Sequence, residues 1–390
     1  MTNRSITDAE RRARVVARHH LGGTAPDVVG AVRALVAVHS SDPVTPYLTL
    51  WARVPDFATD DLDRALYDGR ALCRLHAMRR TLFVVLAEEA PIMLTAAATA
   101  EGERRRLERW LAAEIDPDRV TAWLEQVEGR VVDVLAEGGQ RRTQELTERV
   151  AELTTPITVG SGRWTAQVTL ASRLLPVLAM EGRIVRSRPA GSWRSSQYRW
   201  AATTTWLRHP LAQVDAEGAR AELGRRYLSA HGPATADDLA WWTGWSKRQT
   251  ASVLASVGAV PIDLDGGREA FVLPGDLEPP PEGPRGVALL PGLDPTPMGW
   301  KDRSWVLTTA HADRLYDRNG NIGPTVWVDG RIVGGWAQRP DGEVVARLLE
   351  DVGAEAATSV QERAAALREW MAGVVVVPRF RTPLERELSA

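Results

Sequence analysis

Cys73 is the only cysteine in the 390 residues, which excludes an intrachain disulfide and any cysteine-based zinc cluster. Lysine is almost as scarce. Lys247 and Lys301 are the only two, so nearly all of the 48 basic residues are arginine, and a bias that broad does not mark phosphate recognition at any one arginine. The seven histidines are scattered, and His19 and His20 are adjacent rather than spaced i, i+4 as a helical metal pair would be; no metal is expected. No Walker or dinucleotide glycine fingerprint occurs, because the Gly-Gly pairs at 22–23, 138–139, 266–267 and 334–335 sit in turn-like contexts. No nucleotide or other cofactor is expected. Apolar runs such as 374–377 fall far short of a membrane span, and MTNRSITDAERRARVVARHH has no apolar signal region, so the expectation is a cytoplasmic protein without membrane contact.

What is present is an ordinary globular composition, 44% hydrophobic and 25% charged, in a chain too long for one core, so three or four modest domains are expected. The formal net charge of −2 conceals an uneven distribution. Residues 141–199 hold arginines 141, 142, 149, 163, 173, 183, 186, 188, 194 and 199 against Glu145, Glu148, Glu152 and Glu181, a local charge of about +6 of the kind that marks an electrostatic footprint.

The most informative stretch is AVRALVAVHSSDPVTPYLTLWARV, residues 31–54. It places His39, Ser41 and Asp42 on one short polar break between two helical apolar patterns, Val32, Leu35, Val36 and Val38 before it and Tyr47, Leu48, Leu50 and Trp51 after it. On residue pattern alone the plainer reading is structural: Ser41 or Asp42 capping the next helix, with Pro43 at its first position. The other reading is a catalytic or ligand-binding junction.

Helices are expected near 7–20, 25–38 and 44–53 and after Thr59-Asp60-Asp61, followed by a hairpin in LCRLHAMRRTLFVV, the outline of a winged helix. The outline recurs at 119–201, with a long helix at 164–181 as recognition helix and 183–201 as wing, and again at 215–273, where Thr235 and Ser246 begin a helix pair and a Gly-Gly turn closes a hairpin. PGDLEPPPEGPRG, residues 274–286, reads as a linker; beyond it short β-like runs, the Asp329-Gly330 turn and one helix near 356–372 read as a small barrel or sandwich. The expected class is α+β: three tandem winged-helix domains at 1–115, 116–205 and 206–274, then a small C-terminal β-barrel at 285–390.

Asp42-Pro43, Tyr47-Leu48 and Leu50-Trp51-Ala52-Arg53 resemble the corresponding segment of the AlkZ/YcaQ-like winged-helix DNA glycosylases of bacteria, whose motif reads Gln-apolar-Gln or Gln-apolar-Asp before Asp-Pro. Here His39-Ser40-Ser41 replaces that motif. LHAMRRTLFVV resembles the family's Met-Arg-Gly-Thr-Leu-His strand pair, with Arg80 for the glycine and Phe83 for the histidine. MEGRIVRSRPAGSWRSSQYRW, YLSAHGPATADDLAWWTG and LLPGLDPTPMGWKDRSWVL follow in the family's order.

The resemblance implies a monofunctional DNA glycosylase that hydrolyses the N-glycosidic bond of bulky or N7-alkylated purines in duplex DNA, without metal or cofactor. It would act as a monomer on alkylated double-stranded DNA, in the cytoplasm at the nucleoid. His39 and Asp42 are then the expected catalytic pair, with Ser41 positioning water. DNA contacts are expected at Arg79 and Arg80 beside the first hairpin and at Arg186, Arg188, Arg194, Gln197 and Arg199 on the second wing. Trp193 reads as a wing anchor, and Trp241, Trp242 and Trp245 as core. Asp294, Lys301, Asp302 and Arg303 read as packing or salt-bridge residues, with DNA contact through Lys301 and Arg303 as the alternative. A non-catalytic winged-helix protein that binds lesions or regulates transcription is the second functional expectation, and a protein-interaction scaffold the third; salt-sensitive duplex binding counts against the last.

Overall fold

The structure, a computed structural model, describes residues 4–97, 100–160, 162–207, 210–280 and 286–390. Part of the expected linker, 281–285, and the side chain of Arg163 in the basic stretch lie outside the described residues. The fold is mixed α+β and divides into two compact units, one made of Met1–Leu62 with Arg220–Ala390 and the other of Asp63–Ala219.

In the Asp63–Ala219 unit, Leu72–His76 and Leu82–Leu86 form an antiparallel hairpin in which every strand residue is buried. Ile184–Pro189 pairs on the outer side of Leu72–His76 with Arg186 opposite Arg74, and Tyr198–Ala202 pairs antiparallel to it with a register shift between Arg186 and Pro189. The helices Ala100–Leu111, Val120–Gly138 and Ala171–Met180 turn Leu107, Leu111, Leu124, Val131, Leu174 and Leu178 into one core with Trp200 of the wing strand. The spacing of Leu107 with Leu111, Leu124 with Val131 and Leu174 with Leu178 by one or two helical turns produces the apolar stripe each helix needs.

The long helix expected at 164–181 is a correction. Helix begins only at Ala171, and the preceding residues form a small hairpin, Pro156–Val159 with Ala166–Thr169, around the turn Gly162–Trp164. Gly160 has φ +88, and a Cβ there would lie 2.2 Å from the Trp164 carbonyl oxygen, so the chain turns back where only glycine fits. The alternation in TAQVT then favours strand over helix.

In the other unit, Thr7 caps helix Asp8–Arg18 by accepting from the Glu10 N–H, and Ser5–Ile6 runs parallel to Val260–Leu264. That strand returns as Arg268–Val272 through Gly266 and Gly267, both at positive φ. Ala236–Thr243 and Lys247–Ser256 start after Thr235 and Ser246, as the sequence led us to expect, and each does so with a reciprocal capping box, Thr235 with Asp238 and Ser246 with Gln249.

The C-terminal strands Val287–Leu290, Thr325–Val328, Arg331–Gln338 and Val344–Leu348 form an antiparallel meander with Asp329 and Gly330 at the positive φ values of a tight hairpin. Among the described residues this is an open four-stranded sheet and not the expected barrel. Helices Ala354–Met371 and Pro383–Leu388 pack on its strands, so its apolar surface is buried by helix rather than by closing on itself. Two helices here, Thr309–Leu315 and Pro383–Leu388, are too short to leave a periodic signal in the sequence.

Candidate functional site

The helix expected at 25–38 is shorter, Val28–Leu35, and ends abruptly. Val36 adopts φ 66, ψ −51, and the Ala37 N–H donates back to the Leu35 carbonyl at 2.7 Å, so Val36 is the centre of a γ-turn of the rare positive-φ kind. A β-branched residue there stores strain, of order 1–3 kcal/mol. The turn sends the chain into the two-residue extended stretch Val38–His39, where His39 is half-buried, then through buried Ser40 and half-buried Ser41 to buried Asp42.

Asp42 is held from both sides. Oδ1 accepts the Val44 N–H at 3.3 Å, Oδ2 accepts the Arg379 N–H at 2.8 Å, and the Arg379 guanidinium donates through Nη1 to the Ser41 carbonyl at 3.1 Å. Burial raises the Asp42 carboxyl above its ordinary range, and the N–H bonds from Arg379 and Val44 partly oppose that shift. The same carboxylate lines a narrow apolar pocket with Leu48, Trp336, Gln338, Pro378 and Phe380, whose cavity of about 20 Å³ has room for a single water.

Behind the junction, helix Thr45–Trp51 is buried along its whole length. Thr45 donates to the Gly292 carbonyl and Thr49 to Asp294, while Arg53 spends all five guanidinium N–H groups on Asp294 Oδ1 and Oδ2, Thr296 Oγ1 and the carbonyls of Thr49 and His19. Arg53 and Asp294 are both fully buried. The junction therefore stands on an ion pair with every donor satisfied.

The expected DNA-contact residues divide into two groups. Arg79 and Arg80 are exposed at the tip of the first hairpin, both at positive φ, and Arg80 pairs with Glu103. Arg194 and Gln197 are exposed at the tip of the second. Others are engaged within the protein: Arg186 lies over the Tyr198 and Trp200 rings, Arg188 over Tyr67 with Asp63 and Asp68 as ion-pair partners, and Arg199 donates to the Pro189 carbonyl. Lys301 is exposed beside Asp237. Arg303 is nearly buried, donates to the Pro297 carbonyl and the Tyr316 hydroxyl, and lies 5.0 Å from the Trp241 ring centroid. Trp242 and Trp245 are buried and Trp193 is half-buried. Among the described residues no group of three or more His, Cys, Asp and Glu side chains is placed to hold a metal ion, and no helix is long and apolar enough to cross a membrane.

The family described as DNA glycosylase AlkZ-like matches residues 32–370, which begin in the helix before the junction and run into the last turn of the long C-terminal helix. The chain belongs to this family. In fold it is similar to the solved structure of Streptomyces sahachiroi DNA glycosylase AlkZ, with a TM-score of 0.72 and 22% identity over 95% of this chain and 98% of that one. No curated protein sequence matches it.

Within this AlkZ-like chain, sequence reasoning missed Arg379, which is 337 residues from Asp42 and follows an apolar run with no motif around it. Its placement depends on Gln338, which accepts the Val376 N–H and donates to the Val374 and Gly342 carbonyls, fixing the segment that leads to Arg379. A buried glutamine in a sheet strand was the only available signal, and it does not name its partner. Asp294 was singled out, but its partner Arg53 was noted only for its place in the family-like helix.

Proposed function

We propose that the chain is a monofunctional DNA glycosylase that binds duplex DNA and hydrolyses the N-glycosidic bond of bulky or N7-alkylated purines. Family membership over 32–370 supports glycosylase chemistry, and the observation that carries the choice of site is the junction itself: a strained turn at Val36 followed at once by His39, Ser41 and an Asp42 tethered to Arg379. Strain at a buried β-branched residue persists only where the surroundings impose it, and such strain concentrates at functional sites.

A purine alkylated at N7 is cationic, so the C1′–N9 bond breaks with its electron pair moving to the base and needs little help from a general acid. The sugar becomes oxocarbenium-like. The buried Asp42 carboxylate stabilises that positive charge; water adds its oxygen to C1′, and His39 takes the water proton. Ser41 orients the water. In this reading the helix-and-hairpin groups ending at the first hairpin, the second wing and the Gly266-Gly267 hairpin act as three winged helices on one duplex. Arg79, Arg80, Arg194 and Gln197 contact phosphates, and the internally engaged Arg186, Arg188 and Arg199 stiffen the wing that carries them. The protein acts as a monomer, in the cytoplasm at the nucleoid.

The second reading, a lesion-binding or regulatory protein without catalysis, draws support from the same carboxylate, since both Asp42 oxygens accept backbone N–H bonds as a purely structural turn residue would. Base release from duplex DNA carrying N7-methylguanine or a bulkier N7 adduct separates the two. Wild type is expected to release the base, and the His39→Ala, Asp42→Ala protein to lose roughly 100-fold or more of that rate while still binding DNA. Tight, salt-dependent binding with no release from either protein would replace the enzyme with the binding module.

A further inference from the structure

Outside the His39 junction, the Asp63–Ala219 unit contains a pocket of about 230 Å³, of whose lining the glycosylase reading uses Arg80 alone. Leu107, Val177 and Met180 are its buried apolar lining, Trp110 adds an aromatic face, and Arg80, Arg173, Ser172 and Glu103 are its polar groups. The Arg173 guanidinium lies 5.8 Å from the Trp110 ring centroid, within cation–π range. Ser172 and Arg173 are exposed, and Trp110 is half-buried.

A second, independent observation concerns how Arg80 reaches this pocket. Arg79 has φ 54, ψ 28 and Arg80 has φ 61, two consecutive non-glycine residues in the left-handed region at the tip of the hairpin Leu72–His76/Leu82–Leu86. Glycine is the residue such a backbone favours. Keeping an arginine in its place presents a guanidinium at the pocket at a cost in strain, and strained residues of this kind gather at ligand clamps. The one carboxylate in the lining, Glu103, is shared between Arg80 and Arg106. What fits an aromatic face over an aliphatic floor, with two guanidinium groups beside it, is a flat ring joined to an anion.

We propose that this pocket takes one unstacked nucleotide of the bound DNA, its base on Trp110 against the aliphatic floor and its phosphate between Arg80 and Arg173. The inference rests on the reading of the chain as a duplex-binding glycosylase, and it adds a site for a displaced nucleotide that is separate from the residues doing hydrolysis.

The test uses the full chain and two duplexes, one fully paired and one with a single unpaired 2-aminopurine, whose fluorescence is quenched when it stacks on an aromatic ring. Wild type is expected to bind the unpaired duplex roughly tenfold more tightly, the size of one base–aromatic contact, with loss of 2-aminopurine emission. Trp110→Ala and Arg173→Glu should reduce the preference below about twofold, and Trp110→Phe should retain both preference and quenching. Arg173 is exposed, so its variant reads the site even if Trp110→Ala disturbs the core. Equal affinity for the two duplexes, or a preference that survives both substitutions, overturns the pocket and leaves the glycosylase reading standing. Absence of salt-sensitive binding to either duplex overturns that reading and the pocket with it.

Discussion

Asp42 performs two jobs that pull its chemistry in opposite directions. It does not cap the next helix, which begins at Thr45 with Val44 as N-cap and no side-chain cap. As a turn residue it accepts the Val44 and Arg379 N–H groups, which favour its charged form, while as a buried group beside an apolar pocket it is driven toward the neutral form, and burial is the larger effect. The bond from the Arg379 N–H opposes that shift and favours the carboxylate at the junction. Removing the Arg379 side chain leaves that backbone bond intact, whereas proline at 379 deletes the donor itself. We expect Arg379→Ala to change stability by less than about 1 kcal/mol, and Arg379→Pro to cost about 1–3 kcal/mol, as expected for a buried acceptor left short of a partner. Urea denaturation of the two variants compares them directly. Equal midpoints would mean that the N–H bond to Asp42 contributes nothing. This residue-scale arrangement was only half legible in the sequence. His39, Ser41 and Asp42 stand out because three polar residues interrupt two apolar helical patterns, but Val36 looks like one more apolar helix position, and nothing in its neighbours announces a positive φ.

Helix Thr45–Trp51 is the element that makes the junction rigid, and its stability is concentrated beyond its C-terminal end. Arg53 and Asp294 form a fully buried pair in which each guanidinium N–H has an acceptor, and Asp294 Oδ1 also accepts the Thr296 N–H at 2.9 Å. Helix Ala354–Met371 adds a second support, since Arg363 donates to the Trp51 carbonyl with its guanidinium over the Trp51 ring and Trp370 donates to the Phe57 carbonyl. Breaking a buried pair by removing one partner leaves an uncompensated charge in the interior. Asp294→Ala should lower unfolding stability by about 3–5 kcal/mol, while Asp302→Ala, which breaks the half-exposed pair with Arg268, should cost less than about 1 kcal/mol. Comparable losses in the two variants, measured by chemical denaturation, would refute the ranking. At this scale the sequence was most readable where a local rule operates: Thr235 and Ser246 start helices through capping boxes, and Asp329-Gly330 makes its hairpin. It was least readable where a glycine geometry or a short element decides, as in the hairpin around Trp164 and in Pro383–Leu388.

For the whole molecule, class and family were legible because motifs recur in order along almost the entire chain, whereas barrel and open sheet share the same strand alternation and differ only in what covers the edges. Burial also gives the whole molecule a pH response that composition alone hides. His19 and His231 are fully or almost fully buried, with ring centroids 4.9 Å apart and His231 stacked on Tyr227, and His76 is buried on its strand in the other unit. Desolvation lowers all three: His19 well below 6.5, and His76 and His231 to about 3. Proximity of His231 adds to the effect at His19, and the Arg186 charge adds to it at His76. Because these groups stay neutral when folded and take up a proton near pH 6.5 when unfolded, the unfolded state binds more protons below that pH. Their contribution is intact above 6.5 and lost as pH falls below it, for His76 and His231 down to about 3. Each contributes a slope of about 1.4 kcal/mol per pH unit inside that window. Asp42 works the other way, since burial raises its carboxyl and makes charging it in the fold costly. Lowered carboxyls such as Asp302 and Asp317 reinforce the acid loss only near and below their ordinary range. Between pH 6.5 and about 5 three buried histidines act together, and the urea midpoint should fall steadily there. His76 offers the clean substitution, because its Nδ1 has no hydrogen-bond partner among the described residues. His76→Leu should flatten the slope by about 1.4 kcal/mol per pH unit without lowering stability at pH 7 by more than about 1 kcal/mol. A wild-type midpoint that does not move between pH 7 and pH 5 would show that these histidines accept protons in the folded protein, through an opening of the packing around them that their burial does not suggest.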